Sequence, residues 1–393
     1  MTKYKGTVII GGFIGLLPAG GVVWDYIQYV LGFQSMGYNV FYIEDTKVYP
    51  VFGDTWDDSS TTIQRLHEIM KSFGLENRYI YLDELTQQIF GKSRKEYLEI
   101  CKSADIFINI SCANVMREEY LRIPIRILLD TDPMFTQIQI NSDQTFSPEE
   151  GKLAELAKWH THHFTFGENI FHDDCLIPKG DYSWKITRQP ICLDYWNNKK
   201  APAPKLVFTT LMNWKAGKKF QYGNQSWGQK DLTFPIIQNL PELESGISFK
   251  IAIGQTINDE NEDSFEKLLK YGWEIVSTLE ASGDHKKYQN FIYSSSAEIS
   301  VAKETYVKAK TGWFSCRSAC YLAAGRPVVA QDTGWSKNYP TGLGLFSFSD
   351  KNEALEAIRK ISGDWDNHSK NAREIASSYF DHKKVLGNLI DSL

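Results

Sequence analysis

The sequence predicts an α/β protein made of two tandem Rossmann-like, doubly wound parallel-sheet domains with a cleft between them. Three observations carry that expectation. The chain is 393 residues long, well beyond the ~100–150 residues of an ordinary domain. Its first half alternates short apolar runs with helical patterns, the grammar of strands joined by crossover helices. The same alternation restarts after a polar, proline-punctuated break near residue 200.

In the first half, strands are expected at 7–10 (TVII), 39–44 (NVFYIE), 79–82 (YIYL), 105–111 (DIFINIS), 125–130 (IRILLD) and 162–167 (HHFTFG). Helices are expected near 21–36, 59–73, 93–102 and 149–159. Short apolar runs separated by helices imply a parallel sheet covered on both faces. The break follows: no acidic residue lies between Asp194 and Asp231, and Pro190, Pro202 and Pro204 flank the polar Asn197, Asn198, Lys199 and Lys200. Beyond it, strands are expected at 205–211, 247–254, 273–277, 297–302 and 327–331, with helices near 229–239, 262–271, 284–293 and 315–324 and helical patterns from about 350 onward. The expected layout is a first domain over 1–190, a linker over 191–204, a second domain over 205–375 and a terminal helical segment over 376–393. Ligands are expected where the carboxyl ends of such sheets face a crevice.

Composition narrows the function classes. Lys and Arg number 43 against 48 Asp and Glu, a formal charge of -5, and 42% of residues are hydrophobic, which argues against disorder and against wholesale coating of nucleic acid. An aromatic content of 13%, with 11 Trp, suits either a large core or a cleft that grips rings. Cys101, Cys112, Cys175, Cys192, Cys316 and Cys320 form no CxxC pair, so neither a zinc site nor a disulfide framework is signalled and a cytoplasmic setting is expected. The uncharged run 6–24 contains too many glycines for a membrane span and reads as strand, turn and helix, so no transmembrane segment is expected.

Five constellations bear on chemistry. The turn GGFIGLLPAGG after the first strand, with Glu44 and Asp45 ending the next, has the logic of a dinucleotide site, although GGxxG departs from GxGxxG and such turns also occur without a cofactor. Asp130 and Asp132 in DTDP end a buried strand and can serve a substrate hydroxyl or cap a turn. His160, His162, His163 and His172 suggest a metal at first sight, but strand alternation splits them and no acidic partner follows at zinc spacing; the alternative is histidines lining the cleft. Around the break, Trp196, Lys199, Lys200, Lys205, Trp214, Lys215, Lys218, Lys219, Phe220, Tyr222, Trp227 and Lys230 can track a polyanion or supply one lysine to a diphosphate, and Lys230 at the start of the next helix is the best single candidate. The fifth, KTGWFSCRSACYLAAGRPVVAQDTGW over 310–335, places a glycine turn before a helix ended by Gly325 and a strand begun by Pro327. Backbone amides around Gly312, Trp313, Phe314 and Ser315, with the Arg317 guanidinium, would converge on a phosphate, and Asp332, Thr333 and Gly334 would form a second wall.

Residues 312–334, centred on Ala323, Ala324, Gly325, Pro327, Val328 and Val329, resemble the GT-B-fold glycosyltransferases that use nucleoside-diphosphate sugars, the group with a C-terminal domain of the group 1 type. The two-domain layout agrees over nearly the whole chain. The resemblance implies a donor nucleotide on the second domain, with Lys230 and Arg317 on its diphosphate, a hydroxyl acceptor on the first, and a terminal helix crossing back to the first domain. It implies no resident cofactor and no metal. Where many retaining members carry glutamates about eight residues apart, this chain has Gly312 and Cys320. An inverting reaction would require an acidic residue near the acceptor such as Asp130, Asp132 or Asp25. The alternatives are a nucleotide-sugar epimerase, a non-catalytic nucleotide- or glycan-binding module, an NAD-dependent oxidoreductase using the first glycine turn, and a glycosyltransferase acting on nucleic acid.

Overall fold

The computed structural model describes residues 4–47, 59–84, 86–141, 153–197, 206–215, 219–254 and 262–393. Contacts divide the chain into two compact units, one of Met1–Gly167, Ile177–Pro190 and His382–Leu393, the other of Glu168–Leu176 and Ile191–Asp381. Each holds one doubly wound sheet, as the apolar runs predict.

In the first unit the strands are β1 (Thr7–Gly11), β2 (Asn39–Glu44), β3 (Tyr79–Leu82), β4 (Ile89–Phe90), β5 (Ile106–Ile110), β6 (Ile125–Asp130), β7 (His162–Thr165) and β8 (Trp184–Ile186). They run in the order β4-β3-β2-β1-β5-β6-β7-β8. All pairs are parallel except β3 with the edge strand β4. The central strands bury nearly every residue, because helices cover both faces. On one face Ile9, Ile43, Ile80 and Phe107 pack with Ile100 of the helix Arg94–Ser103, whose start carries the S-x-x-E capping box of Ser93 and Glu96. The helix Gly20–Ser35 packs against the terminal helix His382–Asp391 of the same unit. The two helices come close at Gly32, where a Cβ would lie 2.6 Å from Leu386 Cδ1 and 3.2 Å from His382 Cβ. Ser35 Oγ meets His382 Nε2 at 2.7 Å.

In the second unit β9 (Val207–Met212), β12 (Ser248–Ile253), β13 (Glu274–Val276), β14 (Ala297–Ser300), β15 (Val328–Gln331) and β16 (Leu345–Phe348) form a parallel sheet in the order β13-β12-β9-β14-β15-β16, and β10 (Phe220–Tyr222) pairs with β11 (Gln225–Trp227) as a separate hairpin. Two expectations are corrected here. The helix expected near 229–239 is instead two 3-10 turns, Lys230–Leu232 and Phe234–Ile236, followed by the short helix Leu240–Leu243. Pro235 accounts for this, since in the interior of a helix over 229–239 it would remove a backbone donor and clash with the preceding turn, whereas Pro241 is tolerated in the first turn of Leu240–Leu243. The first part of the expected linker is also not loose, because Trp196 is fully buried against Tyr288 and Tyr293. Residues 198–204 of that linker, and Lys199, Lys200, Lys205 and Lys218, lie outside the described residues. Among the described residues no helix is long and apolar enough to cross a membrane.

Candidate functional site

The richest site in the second unit is built at the carboxyl ends of β14 and β15. Gln331, at the end of β15, accepts from Ala302 N at 3.1 Å, and the Ala302 carbonyl accepts from Thr233 Oγ1 at 2.7 Å. Gly228 N donates to Glu304 Oε2 at 2.8 Å, so the segment entering Lys230 is anchored beside the same strand end. Across from it, Gly312 N donates to the Thr333 carbonyl at 2.9 Å, and Thr333 Oγ1 donates to the Trp313 carbonyl at 2.7 Å. The motif at 310–315 and the turn at 332–334, separate in sequence, therefore form one structure.

Asn169 locks them together. Its Nδ2 donates to the Lys310 carbonyl at 3.2 Å and the Gly334 carbonyl at 2.9 Å, its Oδ1 accepts from Asn338 Nδ2 at 2.9 Å, and its backbone N donates to the Thr311 carbonyl at 3.1 Å. The turns it holds are left-handed at Lys310 (φ 49°), Gly312 (φ 75°) and Gly334 (φ 90°). A Cβ on Gly312 would lie 2.7 Å from Asn169 N, so both the dihedral and the space demand glycine.

The helix Cys316–Ala323 starts directly behind this turn. Ser315 is its N-cap, but the Ser315 side chain does not cap it and its first turn holds no acidic residue. Its leading amides are thus suited to an anion. Arg317 is placed differently from the expectation. Its Nε donates to Glu298 Oε1 at 2.5 Å and its Nη1 to the Leu211 carbonyl, so the guanidinium is turned into the sheet. Burial would lower its pKa, but the charge and hydrogen bond of Glu298 outweigh that and hold it above its ordinary range. Glu298 is fully buried. The assignment of Arg317 as a direct diphosphate ligand is corrected to a buried ion pair beneath the first turn of that helix.

The other predicted residues divide likewise. The Phe314 ring is buried against Trp335, Tyr339 and Phe380, with ring centroids 5.2, 5.2 and 5.4 Å away, and so anchors the turn that carries its backbone amide. Trp313 is half-buried, its ring 4.6 Å from that of Tyr306. Asp332 caps its own turn, accepting from Gly334 N at 2.7 Å and Ser336 Oγ at 2.6 Å. Trp196, Trp214 and Trp227 are buried, which removes them as a platform for nucleic-acid bases.

In the first unit the dinucleotide reading is corrected by Glu44. Gly15 N donates to Glu44 Oε2 at 2.7 Å and Leu16 N to Oε1 at 2.6 Å, while Ile14 N donates to Tyr42 Oη at 2.8 Å. The acceptor in the glycine turn is the protein's own carboxyl group. Asp45 is taken by Arg117 Nε at 2.5 Å and Tyr120 Oη at 2.9 Å, so neither acidic residue is presented to a ribose. Burial raises the Glu44 pKa to about 7, against the lowering effect of its hydrogen bonds. A carboxyl that keeps its proton to higher pH in the folded chain makes the fold lose stability as pH rises from 4.5 to about 7, with no further change above. Urea titrations of wild type and Glu44→Gln at about pH 5 and about pH 8 are expected to show the wild type losing of order 3 kcal/mol more than the variant across that interval. A difference independent of pH would mean that Glu44 is ionised throughout.

Asp130 is fully buried. It accepts from Asp132 N at 2.9 Å, Gln137 Nε2 at 2.7 Å and Thr165 Oγ1 at 2.6 Å, and burial raises its pKa. It organises the DTDP turn and has no approach to a substrate hydroxyl, which corrects its candidacy as a base. Asp132 is half-buried at the mouth of that turn, and Asp25 is half-buried on the helix after β1. Nearby, Ser111 and Cys112, just past β5, both hold left-handed backbone (φ 57° and 55°). Such strain gathers at functional sites, and no local sequence signal marks it. Among the described residues no group of three or more His, Cys, Asp or Glu is arranged to hold a metal. His160 Nδ1 and His163 Nε2 instead lie 2.8 and 2.9 Å from the carbonyls of Leu156 and Ala157, and burial lowers the His160 pKa to about 3.

No protein-family profile matches the chain, and no curated protein matches it. Solved structures do. A glycosyltransferase from Rickettsia africae ESF-5 superposes with a TM-score of 0.56 at 13% identity, covering 100% of this chain and 98% of that one. Anabaena Alr3699/HepE in complex with UDP-glucose gives 0.58 at 10% identity over 99% of this chain and 100% of that one. An α-glucosyltransferase in complex with UDP and a 13-mer DNA containing an HMU base gives 0.60 at 12% identity over 98% of each. At such identities the likeness speaks for the fold. The chain has the GT-B fold that the 312–334 motif led us to expect.

Proposed function

We propose that the protein is a glycosyltransferase that moves a sugar from a nucleoside-diphosphate sugar to an acceptor hydroxyl. The observation that carries this reading is the start of the helix Cys316–Ala323, set without a side-chain cap behind the Gly312 turn that Asn169 holds. Charge building on a departing diphosphate would be met by the leading amides of that helix and the Ser315 hydroxyl, with Lys230 assigned as the cation. The nucleotide sugar is a substrate in this reading, with no resident cofactor and no required metal. That proteins of like fold bind UDP and UDP-glucose supports UDP as the first nucleotide to try. On the acceptor side we assign Asp132, with Asp25 as the alternative, to the reacting hydroxyl. One structure of like fold holds DNA. The buried tryptophans in the lysine-rich stretch here favour a different acceptor. None of the six cysteines is joined in a disulfide, which supports a cytoplasmic setting.

Thermal unfolding with UDP, GDP, CDP, dTDP and NAD tests the reading, since a ligand at ~100 times its dissociation constant adds about 2.7 kcal/mol. One nucleoside diphosphate is expected to raise the melting temperature, and turnover of its sugar is expected to need an acceptor and to survive a chelator. A response to NAD alone would overturn the reading. An altered nucleotide sugar formed without acceptor would identify an epimerase, and binding without turnover a non-catalytic module.

A further inference from the structure

The first unit carries a cavity of ≈ 430 Å³ that shares no lining residue with the glycine turn or the DTDP turn. We propose that this cavity binds a neutral saccharide unit. One wall is the helix Ser60–Ser72, which buries Thr62, Leu66, Ile69 and Met70 along one stripe. A second stripe of the same helix, Ser60, Ile63, Gln64 and His67, lines the cavity. The three- and four-residue spacing puts these four side chains on one face. A helix stripe turned toward a sheet edge is ordinarily apolar. Here an amide, an imidazole and a hydroxyl replace the apolar side chains and leave a space.

The opposite wall is the edge of the sheet. Tyr79 of β3 and Phe90 of β4 face the space, and Tyr79 Oη lies 3.3 Å from His67 Nδ1. Asp83, 5% exposed, closes one end, with its oxygens accepting Ser59 Oγ at 2.8 Å and Thr86 Oγ1 at 2.7 Å. Ring walls beside a cluster of donors and acceptors match a ligand with apolar C–H faces and a rim of hydroxyls. Charge narrows the class. Among the described residues no lysine or arginine lines the cavity, so a phosphorylated or carboxylated ligand would meet the Asp83 carboxylate with no cation to offset it. A wholly apolar ligand would strip water from Gln64, His67 and Asp83 without replacing its hydrogen bonds. The volume falls within the ~300–1,000 Å³ usual for small-molecule sites.

The full chain is tested by saturation-transfer NMR with methyl glycosides of glucose, galactose, mannose and N-acetylglucosamine and with their phosphorylated counterparts. At least one neutral glycoside is expected to receive saturation and the phosphorylated forms to receive none. The double variant Gln64→Ala/His67→Ala changes two exposed positions and is expected to melt like wild type while binding that glycoside about tenfold more weakly. The melting response to nucleoside diphosphates, read on the same samples, is expected to be unchanged. The donor reading and this one therefore fail separately. Absence of binding by every neutral glycoside, binding indifferent to the double variant, or a preference for phosphorylated forms would each overturn the proposal.

Discussion

Arg317→Ala is expected to cost the second unit ~3–5 kcal/mol of stability, because it breaks a buried ion pair from one side. Glu298 sits in β14 with none of its surface exposed, and its Oε2 has no hydrogen-bond partner among the described residues. Arg317 is the cation on its other oxygen and the donor to the Leu211 carbonyl. Truncating the arginine leaves a carboxylate and a carbonyl in a dry site, and the desolvation already incurred is no longer offset. Removing both charges together is a different experiment. Arg317→Met with Glu298→Leu replaces the pair by apolar groups of similar length and is expected to recover most of the loss. Urea unfolding of the two variants measures the contrast, and nucleoside-diphosphate binding decides what Arg317 does. If the pair only supports the helix Cys316–Ala323 from beneath, the double variant binds the nucleotide nearly as well as wild type. If the guanidinium reaches the phosphates, the double variant is stable and does not bind.

Why the sequence suggested a ligand and the structure an ion pair is instructive. The motif at 310–335 is local: turn, helix, strand and second turn are legible because each rests on neighbouring residues, and their placement at the carboxyl end of a parallel sheet follows from the alternation of strands and helices. The aim of one side chain within that frame is not local. Arg317 is decided by Glu298 on the preceding strand, and the first glycine turn is filled by Glu44, 29 residues beyond Gly15. Both acidic residues are visible in the sequence, and neither announces which amide or guanidinium it will meet. The missed strands β4, β8, β10, β11 and β16 have at most four residues each and show no period; β13, equally short, is legible only from the strand–helix alternation around it. Asn169 is the extreme case. Its side chain bonds carbonyls 141 and 165 residues away, and only the folded unit brings them within reach.

Asn169→Asp is expected to abolish nucleoside-diphosphate binding while costing ~2–4 kcal/mol of stability. The substitution preserves size and shape and inverts the function of one atom. Nδ2 now donates to two carbonyls, those of Lys310 and Gly334; an aspartate oxygen in its place would face both as a third acceptor, leaving each without its donor. Asn338 Nδ2 would keep its partner on the other oxygen, so the damage falls on the two turns. Those turns have little intrinsic reason to persist, because Lys310 is a side-chain-bearing residue held in the left-handed region. Once released, the Gly312 amide is expected to leave the Thr333 carbonyl, and the start of the helix Cys316–Ala323 loses its fixed direction. Calorimetric titration with the nucleotide that stabilises wild type, beside a urea curve for the variant, separates the two effects. A stability loss with unimpaired affinity would show that Asn169 pins the fold without shaping an anion site, and would shift the search for the diphosphate toward Lys230.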